Sequence, residues 1–461
     1  MSSASEYRAL WRLSWPAVLA QLGMMLTGTI DTLMVARIDV ASLAASALAN
    51  MWQWSFMSMG VGAVMGIDPL ISQAHGRGDG PAMAIALQRG IVVAVLISIP
   101  LCACMGFTDL GLRLLGQPAD VAALAQRYNL LKLPTVPCFL LFTALRQYLQ
   151  SRGKMVPATA LMYVATALHA LFNWALIFGH AGMPALGLDG AAIASSLTTI
   201  VLAVGVWLAV RSLRLDDGAR RRWDRQSFAL HGLRSTLNLG LPVGLQMSLE
   251  AWAFTVAMFM AGWIDVHAVA SHQIVLNMAA LAFMVPLGVS MGAATRVGNL
   301  IGRGDEPGMR RAARASLVLG AGVMSASALI FGLFRYQLPT LYTQQPAIVL
   351  LSAQILPLAA AFQLADGTQV VAGGVLRGMG RPHTAAVVNF FGYYVFALPL
   401  AYVLAFRFGL GLPGVWTGLA AGLLLIAATL LFFTLRIARL PLAALEVQHS
   451  VPASAALGPK V

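Results

Sequence analysis

Long apolar runs, each of a length that can cross a bilayer, alternate with short polar connections along the whole chain. A helix needs about 20 predominantly apolar residues to traverse roughly 30 Å of hydrocarbon. By that measure the sequence predicts twelve spans, at 12–36, 43–73, 90–109, 121–147, 157–179, 187–210, 237–262, 268–300, 313–334, 347–374, 384–406 and 411–435. Gly, Pro or charge clusters bound most of them, as helix breakers should. Internal prolines at Pro16, Pro69, Pro134, Pro137, Pro242, Pro286, Pro357 and Pro399 predict kinks. The backbone groups such kinks free must be satisfied by packing or by a water-filled cavity. The first run, from Leu10, lacks a basic leader and a small-residue cleavage site, so it is expected to remain as a span.

Composition agrees and removes rivals. The chain is 59% hydrophobic and only 10% charged, with a mean hydropathy of +0.77. Soluble domains carry about 25% charged residues, so a soluble enzyme or a disordered regulator is excluded. Three cysteines, two of them as Cys102-x-Cys104, make neither a disulfide framework nor a four-thiolate metal site. The eight histidines show no metal-ligand spacing, and no nucleotide-binding loop of the Walker type appears. ATP is therefore not the direct energy source within this chain, and no cofactor is expected beyond a coupling ion.

The net charge of +13 admits two readings, nucleic acid or membrane topology. With the N-terminus cytoplasmic and twelve alternating spans, 24 of the 30 lysines and arginines fall inside. Arg37, Arg113, Arg127, Lys132, Arg335 and Arg407 fall outside or near the outer face. That is the positive-inside bias of an inner-membrane protein with both termini cytoplasmic. The Arg220-Arg221-Arg222 run reads as a solvated linker that touches anionic lipid, and nucleic acid is not an expected partner.

Six spans precede that linker and six follow, and the halves repeat. Gly62-x-x-Met65-Gly66 and Gly76-Arg77-Gly78-Asp79 recur as Gly288-x-x-Met291-Gly292 and Gly302-Arg303-Gly304-Asp305. Leu149…Gly153-Lys154 recurs as Leu376…Gly380-Arg381, and Gly187-Leu188-x-Gly190 as Gly411-Leu412-x-Gly414. An even number of spans separates equivalents, so the repeats are parallel, a standard transporter plan with a cleft between halves. The predicted fold is thus an all-α integral membrane protein of two pseudo-symmetric six-helix lobes. Its expected divisions are an N-terminal lobe at 1–210, a basic cytoplasmic linker at 211–236, a C-terminal lobe at 237–440 and a cytoplasmic tail at 441–461. Gly60-x-Gly62-x-x-x-Gly66, which lacks a preceding strand, reads as helix packing rather than a phosphate loop.

Acidic residues within spans are costly and mark function. Glu250 lies at mid-bilayer in the seventh span and Asp366 well inside the tenth. Asp31 lies in the outer half of the first span and Asp68 in the inner third of the second. No lysine or arginine shares the depth of Glu250 or Asp366 in their own spans, so their cavity wants a cation: a proton, a metal ion or an organic cation. Polar companions share their faces. Gln246 stands one turn before Glu250, Gln363 and Gln369 flank Asp366, and His169 and Asn173 pair in the fifth span. Asn277 follows His272-Gln273 in the eighth. Glu250 and Asp366 are also the expected ligands if that cation is a metal ion. Methionines such as Met57, Met258 and Met284 suit either core packing or a soft pocket for flat cations.

Several strings also resemble a known family. Ile67-Asp68-Pro69-Leu70-Ile71-Ser72-Gln73-Ala74-His75-Gly76 resembles the multidrug and toxic compound extrusion (MATE) transporters. So do Ser271-His272-Gln273-Ile274-Val275-Leu276-Asn277, Phe283-Met284-Val285-Pro286-Leu287-Gly288, Thr295-Arg296-Val297-Gly298 and Gly374-Val375-Leu376-Arg377-Gly378. The resemblance covers residues 8 to 437, and acids in spans 1, 7 and 10 resemble the bacterial NorM-like branch. It implies two six-helix lobes forming a V, and a monomer that exports organic cations in exchange for inward Na⁺ or H⁺. The family's acids fall on Asp31, Glu250 and Asp366; its Asn-x-x-x-Asn pattern in span 5 falls on His169 and Asn173, a departure. Some members place a Tyr one turn before the span-10 aspartate, where this chain has Phe362. Both departures remove oxygen donors that a hard cation prefers, and a histidine suits proton coupling; the ion stays open. Two alternatives remain: a lipid-linked-precursor flippase, which would need arginines in the central cavity, and an integral-membrane enzyme, which would need its catalytic groups at one face.

Overall fold

The computed structural model describes residues 3–212 and 223–447. The Arg220–Arg222 run and Lys460 lie outside the described residues. The first half comprises α1 (Ser3–Val35), α2 (Val40–Met65), α3 (Ile67–Arg77), α4 (Gly80–Gly106), α5 (Thr108–Leu114), α6 (Ala119–Leu131), α7 (Thr135–Ser151), α8 (Val156–Phe178) and α9 (Leu188–Ser212). The second comprises α10 (Leu230–Ile264), α11 (Val266–Gly302), α12 (Glu306–Leu333), α13 (Gln337–Thr340), α14 (Pro346–Gly378), α15 (Pro382–Phe390), α16 (Leu398–Tyr402) and α17 (Gly411–Ile437). Eleven helices are long and apolar enough to cross a membrane, and a bent pair, α6 with α7, brings the number to twelve. The described residues contain no strand.

The spans depart from straight rods where prolines stand. A proline lacks the N–H its helix needs and clashes with the carbonyl four residues back. Pro134 and Pro137 thus break the predicted fourth span into α6 and α7, bent by 51° around Lys132–Pro134. Pro69 similarly sets the break at Gly66 between α2 and α3. The eleventh span alternates α15, a π-turn at Phe391–Ala397, α16 around Pro399 and a second π-turn at Val403–Arg407. One boundary differs from expectation. α10 begins at Leu230, inside the stretch read as linker, because that helix continues beyond its membrane-length apolar run.

The repeated Gly-Arg-Gly-Asp string is a helix stop followed by a helix start. Gly78 and Gly304 close α3 and α11 at φ of +74° and +72°, a left-handed conformation that strains any residue with a Cβ. The next residue caps the following helix: Asp79 accepts from the Ala82 N–H at 3.0 Å and Asp305 from the Gly308 N–H at 2.8 Å. This removes an orphan donor at the start of α4 and of α12.

The other repeated string builds the contact between the lobes. Gly62 and Gly66 of α2 face Gly244 and Gly240 of α10 so closely that a Cβ on either would overlap the opposing backbone. Their counterparts on α11 meet α1 as closely, Gly288 against the Val18 backbone and Gly292 against the Ser14 hydroxyl. Without a hydrophobic drive in lipid, such small-residue crossings let dispersion hold helices together. Hydrogen bonds and ion pairs extend the seam beyond these crossings, most of them toward the face bearing the Gly-Arg-Gly-Asp turns. Ser58 and Ser248 hydroxyls lie 2.7 Å apart; Gln150 donates to the Met291 carbonyl at 3.3 Å; Arg296 grips Glu6 at 2.7 and 2.9 Å. Arg377 lies 3.3 Å from Asp68, which also accepts from Ser151 at 2.7 Å. Asp68 is therefore a paired carboxylate of the seam. Apart from the Ser58–Ser248 pair, which lies midway along its spans, these contacts fall in the half of the protein nearer this basic face.

Candidate functional site

The C-terminal lobe carries one acidic centre. α10 presents Glu250 and α14 presents Asp366, each near the middle of a helix that spans. Asp366 is only 5% exposed, and its Oδ1 has no hydrogen-bond donor among the described residues. Glu250 is half-buried and lies close enough for its charge to act on Asp366. Gln369 donates to Glu250 Oε2 at 3.4 Å and reaches the Tyr393 hydroxyl at 3.3 Å. Among the described residues no lysine, arginine or histidine pairs with either acid. Two carboxylates in a low-dielectric interior repel each other and lack the water that would stabilise them. A cation brought between them relieves both costs.

Tyr393 is the residue that sequence reasoning missed. Phe362, at the position where a hydroxyl was sought, packs edge-on against Phe254 and Trp416. The hydroxyl arrives instead from the π-turn of the eleventh span, where the Tyr393 ring stacks edge-on against Phe254 and its oxygen feels both Glu250 and Asp366. Oxygen ligands are thus available from two carboxylates, one phenol and the amide of Gln369. Gln363 is wholly buried one turn from Asp366, with both amide atoms unpartnered among the described residues. Gln246 packs against Gly373 of α14. Asn277 is exposed on α11 and joins neither acid. No group of three or more His, Cys, Asp or Glu forms a metal cage among the described residues.

The N-terminal lobe holds a second centre of opposite character. Asp31 on α1 is surrounded by donors. Tyr128 donates to its Oδ2 at 3.2 Å, and Asn173 Nδ2 and His169 Nε2 each lie 3.2 Å from Oδ1. Lys132 stands beside them at the α6–α7 break, only 6% exposed. It donates to Asn50 at 2.7 Å and sits over the Tyr128 ring at 4.9 Å. The sequence count placed Lys132 with the outer-face cations; it is instead an interior charge balanced by Asp31, because the proline break turns it inward.

The hydrogen bonds around His169 leave room for one proton. Thr198 gives its hydroxyl hydrogen to the Ala194 carbonyl at 2.7 Å, so it accepts from His169 Nδ1 at 3.1 Å. In a neutral imidazole Nε2 then carries no hydrogen and accepts from Asn173 at 3.1 Å. The 3.2 Å approach of Nε2 to Asp31 Oδ1 is a hydrogen bond only when a proton lies between them.

The MatE family pattern matches residues 16–175 and 242–403, one stretch in each lobe. A probable multidrug resistance protein NorM from Bradyrhizobium diazoefficiens is 36% identical over 437 residues, covering 93% of this chain and 92% of that one. The multidrug and toxin extrusion protein 2 of Oryctolagus cuniculus is 30% identical, covering 94% of this chain and 71% of that one. Among solved structures, the eukaryotic MATE transporter AtDTX14 superposes with a TM-score of 0.87 at 22% identity, covering 96% of this chain and 99% of that one. The Vibrio cholerae MATE transporter VcmN in its bent form gives 0.83 at 20% identity, covering 95% and 98%.

Proposed function

This chain belongs to the MatE family, and from that premise we propose that it is a secondary active antiporter of the inner membrane, exporting organic cations in exchange for inward Na⁺ or H⁺. The observation that carries the reading is the pair Glu250 and Asp366, two interior carboxylates with no cationic partner among the described residues. A monovalent organic cation and a coupling ion compete for the same negative charge, which is what exchange requires. The aromatic wall of Phe254, Phe362 and Tyr393 beside them suits a flat organic cation. The relatives' names, multidrug resistance and multidrug and toxin extrusion, support the substrate class.

The positive-inside bias makes the basic face cytoplasmic, so the described state has its seam shut on the cytoplasmic side. Binding of the incoming ion at the acids displaces the organic cation outward. The lobes then rock about the glycine crossings, open the seam inward and release the ion. Only unequal affinity for the two states can drive that step. The donor-rich surroundings of Asp31 disfavour Na⁺ in the N-terminal lobe, because amide, phenol and ammonium hydrogens repel a metal ion. The oxygen-lined centre around Glu250 and Asp366 accepts either ion.

Displacement tests the shared site. A fluorescent organic cation bound to purified protein is expected to leave as pH falls or as Na⁺ rises. Glu250→Gln is expected to weaken its binding by roughly tenfold or more. A bound cation that neither ion displaces would be incompatible with exchange through this site.

A further inference from the structure

The chain does not leave the protein after its last span. From Ala438 it turns back beneath the basic face and runs to Val447, passing under the seam between the lobes. Two arginines of the C-terminal lobe hold its first part. Arg310 donates to the carbonyls of Ala438 and Arg439 at 3.0 and 3.1 Å, and Arg381 donates to that of Ala444 at 2.9 Å. Leu445, 1% exposed, belongs to the hydrophobic core of the C-terminal lobe. Val447, two residues on, packs against Gly380 of the C-terminal lobe and against a hydrophobic cluster drawn from both lobes.

Gln73 joins the two. It lies on α3 in the N-terminal lobe and is wholly buried. Its Nε2 donates to the Gly378 carbonyl at 3.3 Å and to the Leu445 carbonyl at 3.1 Å. Its Oε1 accepts from the Val447 N–H at 2.8 Å. One side chain of one lobe thus closes a ring with the end of α14 and with the segment that follows α17. In a chain of two lobes these bonds form only while the basic-face seam is shut. A contact present in one state alone biases the equilibrium toward that state.

We propose that residues 438–447 act as a clasp, with Gln73 as its catch, and that release of this clasp is part of opening the basic face. The proposal rests on the rocking of the lobes described above. It goes beyond that reading by placing a device for the motion in the tail after the last span. Gln73 touches no substrate; it positions the strap, and the strap positions the lobes.

The test reads lobe separation directly. Spin labels at Val156→Cys and Arg303→Cys, one on each lobe at the basic face, report their distance by electron paramagnetic resonance, on a background with the three native cysteines replaced. The measurement uses neither coupling ion nor transported cation, so its outcome is independent of the antiport assignment. Gln73→Met keeps the size of the side chain and removes the amide; Val447→Pro removes the N–H that donates to Gln73 Oε1 and leaves Gln73 intact. Each is expected to move the ratio of short to long distances about fivefold toward long, the scale of one or two net hydrogen bonds. The double variant is expected to add little to either, because both break one clasp. Unchanged distances in both singles, or shifts that add fully in the double, would overturn the proposal. A variant whose melting temperature falls without any change in distance also counts against it, since that is the mark of a merely structural contact.

Discussion

Asp366→Asn is expected to reduce efflux to background while leaving the protein folded. The effect is electrostatic. Asp366 is buried, one of its oxygens has no donor among the described residues, and the nearest charge acting on it is Glu250, of the same sign. The native state carries this repulsion as a cost that a bound cation offsets. Replacing the carboxylate by an amide of equal size removes half of the charge that draws a cation in. Losing one partner of a desolvated charge pair costs about 2–5 kcal/mol, hence at least about a thirtyfold weaker hold on the cation. Thermal stability in detergent should stay level or rise, because a like-charge contact has been relieved. The two signs together are diagnostic. Activity that falls only as far as the melting temperature falls would mark Asp366 as structural.

The second large effect is on assembly. Gly62→Val is expected to prevent the lobes from meeting. A Cβ at Gly62 would overlap the backbone of Gly244 and Val243, and backbone cannot swing aside as a side chain can. The helices must separate along the whole crossing, which disturbs Ser58–Ser248 and the Gly66–Gly240 contact on the same faces. Overpacking a tight site costs about 1–3 kcal/mol or more, and here the opposing surface is rigid. The melting temperature, followed by tryptophan fluorescence, should drop by many degrees. Gly28→Ala is the matched control. A Cβ there meets nothing within 4 Å, so the exchange should be neutral or gain up to about 1 kcal/mol from helix propensity. Similar effects at Gly62 and Gly28 would contradict the close crossing.

How far the sequence spoke depended on whether a property was local. Apolar run length marked the spans, because each helix must satisfy its own backbone in lipid. The duplicated glycine strings showed the repeat, and their physical meaning, a crossing of α2 on α10 and of α11 on α1, required the packed lobes. Pro134 and Pro137 were legible as kinks. That the kink would turn Lys132 toward Asp31 was not, since counting charges by side cannot tell a snorkelling lysine from an interior one. The search for a hydroxyl beside Asp366 stopped at Phe362 on the same helix, whereas Tyr393 comes from the next span and a π-turn aims it. Asp68 read as a functional acid inside a span, whereas the end of α14 brings Arg377 across the seam to pair with it. In each case the missing information was a contact between helices distant in sequence. No periodicity encodes that.

The central claim is exchange of an organic cation for Na⁺ or H⁺, and reconstitution tests it most directly. Protein in sealed vesicles loaded with a fluorescent organic cation receives a Na⁺ gradient and a pH gradient in separate experiments, each with the other ion balanced. The account predicts that at least one gradient drives the dye against its own concentration difference, and that Asp366→Asn abolishes this movement. Transport that neither gradient drives, or that persists unchanged in Asp366→Asn, would contradict it.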